Sequence, residues 1–115
     1  MIKFRFAIIV LSFLSCFSFY TTAQTGKARK ADIAYKAGEY YLAIDLYRDT
    51  YNSLRDNSKK DQLLFQIAQC YRQANEPVKA ELWYSKSIAK GYSDPIAVFY
   101  LAEMQKMNIK YVEAK

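Results

Sequence analysis

The sequence is poor in the residues from which most catalytic and metal sites are built. It has no histidine, and its 115 residues contain only two cysteines and three glycines. Without histidine the chain lacks the commonest general base and metal ligand. Cys16 and Cys70 cannot supply the several closely spaced ligands of a cysteine-based metal site, and the glycines are too far apart for a phosphate-binding loop. We therefore expect no enzymatic activity, no metal and no cofactor.

The acidic residues are scattered and form no pair suited to general acid–base catalysis. Glu76 has Lys79 and Lys86 on the same stretch of chain, and we expect it to form a surface salt bridge with one of them. Cys70 is the only thiol after residue 24 and lies in a segment of helical apolar periodicity. That position favours a role as a small core residue.

The first 24 residues, MIKFRFAIIVLSFLSCFSFYTTAQ, have the three parts of a secretory signal peptide. Lys3 and Arg5 precede an apolar run over residues 6–20, which is followed by small residues. That run has about 15 residues, whereas a membrane-spanning helix needs about 20. We predict a signal peptide over residues 1–24 and export to the periplasm or outer membrane, with an uncleaved anchor as the alternative. The mature chain is expected to contain no transmembrane helix.

Two processing routes are compatible with this leader. Thr21 and Ala23 suit an ordinary signal peptidase that cuts before Gln24. Cys16 follows Phe-Leu-Ser, which resembles a degenerate lipobox and would make Cys16 the lipidated first residue of a lipoprotein. Both routes take the mature chain out of the cytoplasm.

The mature region, residues 25–115, has a mild excess of positive charge. It keeps 15 of the 17 basic residues and all 11 acidic ones, which gives a formal charge of +4. Nucleic-acid binding would require basic residues clustered on one face, and the sequence has no such block. We expect a solvated surface and no nucleic-acid partner.

A repeating unit is visible in the spacing of the alanines. Three pairs have members twelve residues apart: Ala31 and Ala43, Ala68 and Ala80, and Ala102 and Ala114. The second members of successive pairs lie 37 and 34 residues apart, and a short break in the apolar pattern precedes each of them. Periods of this length are typical of stacked helical hairpins. The small side chains would lie where the two helices of a hairpin cross.

Helix boundaries are marked by proline, glycine and capping residues. Pro77 suits the first position of a helix, and Gly91 suits a left-handed position after its last residue. Asp94 and Pro95 have the pattern of an N-cap followed by a first turn. Residues 55–61 form a polar linker, and no alternating strand pattern follows Gln24. These signals predict an all-α mature chain.

The second unit resembles the tetratricopeptide repeat. It places Leu64, Ile67, Ala68 and Tyr71 at the family's large, large, small and aromatic positions, with Ala80 and Tyr84 following at its fixed offsets. The resemblance implies an antiparallel helix–turn–helix solenoid of about 2.5 repeats over residues 25–115. The repeats would cover about residues 26–57, 61–93 and 95–115, the last of them truncated. The first departs from the pattern at Ala31 and Ala34, and the third at Gln105.

The third repeat is expected to break before Asn108, so that NIKYVEAK forms a turn and the first turn of a second helix. The apolar residues of its first helix would then lack a partner: Ile96, Phe99, Leu101, Met104 and Met107. We expect the chain to be the N-terminal part of a longer protein. The alternative is a complete short protein whose partner finishes the stack.

The leader and repeats together resemble a group of Bacteroidetes envelope proteins. In that group tetratricopeptide repeats precede a β-propeller and an OmpA-like domain that binds peptidoglycan, and some members serve type IX secretion and gliding. The resemblance implies a non-enzymatic protein-interaction scaffold in the cell envelope, with peptidoglycan bound only through a C-terminal domain outside this sequence. The alternatives are a small secreted adaptor or lipoprotein, or a passive spacer to a downstream functional domain.

Stacked helical pairs line a concave groove with the first helix of each unit. By that geometry a protein or peptide partner in the envelope would contact residues from all three units: Asp32, Tyr35, Lys36, Phe65, Gln69, Arg72, Gln73, Phe99, Glu103 and Lys106. Aromatic and arginine side chains suit such a surface, although Phe65 and Phe99 could also belong to the core. Most tyrosines fall at packing offsets and are expected in the core, namely Tyr40, Tyr47, Tyr71, Tyr84 and Tyr111.

Overall fold

The computed structural model describes residues 22–114, with side chains described from residue 26 onward. It contains five α-helices: α1 (Thr22–Lys36), α2 (Tyr40–Ser53), α3 (Lys60–Gln73), α4 (Pro77–Ala89) and α5 (Pro95–Glu113). A short 3₁₀-helix, η1 (Asn57–Lys59), lies within the predicted polar linker. No strand occurs in residues 22–114, so the all-α prediction is confirmed for this part. Most of the predicted signal peptide, including Cys16, lies outside the described residues.

Consecutive helices pack against each other in the order in which they follow along the chain. Three-residue connections join α1 to α2 and α3 to α4, which makes each pair an antiparallel hairpin. The alanines of the first two pairs, Ala31, Ala43, Ala68 and Ala80, are completely buried. Because their side chains end at Cβ, the helix backbones can approach closely at these positions.

The third alanine pair does not behave like the first two. Both Ala102 and Ala114 are exposed, and α5 instead buries Ala97 and Met104. The twelve-residue spacing therefore marks a helix crossing only where a second helix returns along the first. In the third unit no such helix is present among the described residues.

Two hairpin turns use a left-handed residue at equivalent positions. Gly38 has φ 81° and Asn75 has φ 60°, and each lies seven residues after the first alanine of its pair. Glycine and asparagine tolerate this conformation better than other residues. Gly91 (φ 110°) follows α4, as predicted.

The predicted helix starts are also confirmed. Pro77 and Pro95 open α4 and α5, where a missing backbone N–H has no cost. Asp94 caps α5, because its Oδ1 accepts a hydrogen bond from the backbone N of Ile96 at 3.0 Å.

The predicted break in the third unit is wrong. Helix α5 runs without interruption from Pro95 to Glu113, and Asn108 lies inside it. The position equivalent to Gly38 and Asn75 is occupied by Ile109. A β-branched residue is a severe outlier at positive φ, so this copy cannot form the same turn. Residues 108–113 therefore continue the helix.

A few large side chains, including Tyr47 and Tyr84, make up much of the core. Tyr47, Tyr71 and Tyr84 are buried, as predicted, and Tyr40 is half-buried against them. Tyr111 is wrongly predicted, since it is 59% exposed near the end of α5. Among residues 22–114, no helix follows α5.

Cys70 is completely buried, which agrees with its predicted structural role. Burial raises the pKa of its thiol to about 12. None of the described helices is long and apolar enough to cross a bilayer, as expected for the mature chain.

Candidate binding surfaces

The predicted groove residues lie on α1, α3 and α5, and we call the surface that they share the odd-helix face. Asp32, Lys36, Gln73, Phe99, Glu103 and Lys106 are exposed there, and Tyr35, Gln69 and Arg72 are half-buried. Phe65 is only 6% exposed, and its ring stacks on Tyr92 with 4.6 Å between centroids. Phe65 is therefore a core residue and cannot contact a partner directly.

A tyrosine from the second helix of each hairpin donates a hydrogen bond to the first helix. Tyr47 Oη donates to Asp32 Oδ1, and Tyr84 Oη donates to Gln69 Oε1. In both hairpins the donor follows the acceptor by fifteen residues. Burial, and for Tyr47 also the bond to Asp32, raises the pKa of both phenols far above 10.0. These pairs hold two of the predicted groove residues in fixed positions.

Arg72 connects three helices. Its Nε donates to Gln69 Oε1 at 3.2 Å and to Tyr84 Oη at 3.1 Å. Its guanidinium carbon lies 4.1 Å from the centroid of the Tyr100 ring on α5, within the range of a cation–π contact. Tyr100 also stacks on Tyr84, with 5.8 Å between centroids.

Phe99 is the large apolar side chain that the odd-helix face leaves open. It is 57% exposed, and its ring centroid is 5.6 Å from that of Tyr100. Arg72, Tyr100 and Phe99 therefore form a connected row, which we call the Arg72 row. On α1, Tyr35 packs edge-on against Tyr40, with 5.7 Å between centroids. Burial raises the pKa of Tyr35, although a hydrogen bond with Gln73 opposes the shift.

A second surface, which the sequence reasoning missed, lies between α2, α3 and α4. It is a cleft of about 630 Å³ that we call the Trp83 cleft. Its aromatic and aliphatic lining includes Tyr51, Leu64, Ile67 and Trp83, and its basic lining consists of Arg48, Lys86 and Lys90. None of its nine lining residues is acidic.

Two cations lie over the Trp83 ring. Arg48 Cζ is 4.9 Å from the ring centroid and Lys86 Nζ is 4.4 Å from it. Lys86 follows Trp83 by three residues, a helical spacing that places the two side chains on the same face. Arg48 comes from α2, 35 residues earlier, and no periodicity within one helix could have paired it with Trp83. Of the two lysines predicted as partners of Glu76, Lys79 makes the salt bridge, at 3.2 Å.

A smaller cleft of about 480 Å³ lies where the start of α4 meets the end of α5. Asn108 Nδ2 donates to the carbonyl oxygen of Pro77 at 3.2 Å and to Glu81 Oε2. Val78, Met107 and Tyr111 line the same cleft and are exposed. Asn108 thus fixes the last turns of α5 against α4, and Val78 and Met107 beside it are exposed.

The chain matches no protein-family model, no curated protein and no solved structure. Residues 22–114 contain no group of three or more acidic, cysteine or histidine side chains that could hold a metal ion. The odd-helix face and the Trp83 cleft combine aromatic and basic side chains, and a function can be argued from these two surfaces.

Proposed function

We propose that this chain is a non-enzymatic protein-binding scaffold of the bacterial cell envelope, built from tetratricopeptide repeats. The equivalent tyrosine bonds of the two hairpins, Tyr47 to Asp32 and Tyr84 to Gln69, support the repeat assignment. They occur at the same offset in both units, as expected when two copies of one unit fold alike.

The observation that carries the binding role is the Arg72 row. Binding energy at protein interfaces is concentrated in a few aromatic and arginine residues with fixed positions. Arg72 is held by hydrogen bonds to Gln69 and Tyr84, and its neighbour Phe99 exposes most of its ring. A peptide partner would bury Phe99 and lie along the polar residues Gln73, Glu103 and Lys106, which are exposed on the same face.

Site-specific photocrosslinking tests this role. A photoreactive amino acid at position 99, in the chain expressed in its own envelope, should give one discrete crosslinked protein. Val98 is the matched control, because it is 58% exposed and adjacent to Phe99 but points to another side of α5. A partner that crosslinks equally from position 98, or from neither position, contradicts binding through the Arg72 row.

We further propose that the chain is the N-terminal part of a longer OmpA-like envelope protein. The support is the last turns of α5, where Ile109 and Val112, three residues apart on one side of the helix, are each at least 60% exposed. Contiguous exposed apolar side chains usually mark a surface that another element covers. The intact mass of the protein isolated from its native envelope tests this proposal. A mass far above that of residues 24–115 supports a longer chain, and a mass equal to theirs contradicts it.

A further inference from the structure

The Trp83 cleft combines basic, aromatic and aliphatic side chains. None of the residues of the Arg72 row lines it. Arg48, Lys86 and Lys90 are exposed at its rim. Lys60 does not line the cleft, and its Nζ lies 4.9 Å from the Tyr51 ring centroid. The ion pair found within residues 22–114, Glu76 with Lys79, lies outside the cleft. The cations of the cleft therefore face solvent without a carboxylate partner.

The cations are held in place before any ligand arrives. Arg48 and Lys86 both lie over the half-buried Trp83 ring, whose negative face attracts them. Trp83 is itself positioned by Tyr71, with 6.3 Å between ring centroids. Flexible side chains normally lose rotamer freedom when they bind. Cationic side chains that already contact an aromatic ring lose less rotamer freedom when an anion binds, and this lowers the entropic cost of binding.

The cleft also offers an apolar wall. Leu64 and Ile67 are core residues behind it. The accessible apolar surface comes from the half-buried rings of Tyr51 and Trp83 and from Ala89, which is exposed at the end of α4. An inorganic anion would contact only the basic side chains at the rim. A ligand that fills about 630 Å³ needs acidic groups for the rim and an apolar group for the wall, and a peptide supplies both.

We propose that the Trp83 cleft binds a short acidic peptide segment of a partner protein. Carboxylates of the segment pair with Arg48, Lys86 and Lys90. An apolar side chain of the segment packs against Tyr51 and Ala89. The cleft and the odd-helix face are formed by different residues. The proposal for the cleft can therefore be tested separately from binding through the Arg72 row.

Trp83 provides the assay, because it is the only tryptophan in the chain. The purified chain is titrated with a synthetic peptide of mixed glutamate and leucine, and the fluorescence of Trp83 is recorded. We expect a saturable change that weakens as salt is added, since ion pairs at an exposed rim are screened. The same peptide with glutamine in place of glutamate should bind at least about tenfold more weakly, a difference of about 1.4 kcal/mol.

Charge reversal locates the site. Lys86→Glu should weaken binding of the glutamate–leucine peptide by about tenfold or more, by the same conversion. Lys110→Glu is the matched control, because it makes the same charge change at an exposed lysine in the last turn of α5, outside both the cleft and the odd-helix face. Circular dichroism should show the same helix content for both variants, since both side chains are exposed.

Three results would overturn the proposal. One is equal binding of the glutamine and glutamate peptides, and another is equal weakening by Lys86→Glu and Lys110→Glu. The third is a Trp83 fluorescence change with phosphatidylglycerol vesicles and none with the peptide, which would make the cleft a lipid-binding surface. A normal crosslink from position 99 in the Lys86→Glu variant would show that the odd-helix face is unaffected.

Discussion

The hydroxyl group of Tyr84 donates a hydrogen bond to the side chain of Gln69, fifteen residues before it. The tyrosine comes from α4 and the glutamine from α3, so the bond fixes the register of the second hairpin. Arg72 donates to both partners from its Nε and lies over Tyr100 of α5. One buried phenol thus links the inside of a hairpin to the surface that we propose for partner binding.

Removal of this phenol should destabilise the protein. Tyr84→Phe leaves Gln69 and Arg72 without their shared partner in a half-buried setting, and the loss of such a bond costs about 1–3 kcal/mol. Tyr41→Phe is the control: Tyr41 donates to Glu76 at 2.7 Å, but the bond is exposed, and its loss should cost well under 1 kcal/mol. Urea unfolding followed by circular dichroism measures both. Equal losses would contradict a structural role for the Tyr84 bond.

The buried alanines should not tolerate a larger side chain. Ala80→Leu forces α3 and α4 apart at a completely buried position, and overpacking of this kind costs about 1–3 kcal/mol. Ala102→Leu, in the third alanine pair, should have little effect because Ala102 is exposed. The thermal midpoints of the two variants test this contrast. A comparable fall in the thermal midpoints of both variants would show that the exposed Ala102 tolerates a larger side chain no better than the buried Ala80.

The hairpin turn at Gly38 should require glycine. Gly38 has φ 81°, and a residue with a Cβ pays about 1–2 kcal/mol in the left-handed region. Gly38→Ala should therefore lower the free energy of unfolding. Gly26→Ala should raise it by about 0.5–1 kcal/mol, because Gly26 lies inside α1 and an added Cβ there meets no atom within 4 Å. Chemical denaturation that gives the same sign for both substitutions would refute this account of the turn.

Alkaline pH should unfold the protein through its buried acids. Burial raises the pKa of Tyr47 and Tyr84 above 10.0, and that of Cys70 from 9.0 to about 12. The unfolded chain releases these protons first, so the stability that they contribute is complete below about pH 9 and is lost as the pH rises further. Urea midpoints measured between about pH 8 and 11 should fall steadily.

Tyr47→Phe provides the comparison for this pH dependence. It removes one of the shifted groups, so its midpoint should fall less steeply with pH than that of the unmodified chain, although it starts from a lower value. An identical slope in the two proteins would show that Tyr47 titrates normally in the folded state.

Much of the fold could be predicted because its signals are local. Proline at a first helical position, glycine after a last one and apolar residues at helical spacing act within a few residues of chain, whatever the rest of the protein does. Gly38, Pro77, Gly91 and Asp94 therefore behave as their residue types dictate. The same kind of local signal, Ile109 at the turn position, opposes the break that the alanine spacing predicts in α5.

The candidate surfaces were only partly predictable. The odd-helix face follows from the repeat pattern, and nine of its ten predicted residues are at least partly accessible. Phe65 is the exception, because Tyr92, in the loop after α4, stacks on its ring. The position of that loop depends on how the second hairpin packs, which no local pattern specifies.

The sequence by itself determined that the region from residue 25 onward is all-α, where α4 begins and ends, where α5 begins, and which alanines lie at the crossings of the first two hairpins. Backbone conformation and apolar period are local properties, and they decide these features. Only the tertiary structure placed Arg48 of α2 over the ring of Trp83 in α4. It also determined that Phe99 contacts Tyr100 and remains exposed to solvent. The relative rotation of packed helices sets such contacts, and it results from the sum of many weak interactions across the whole core.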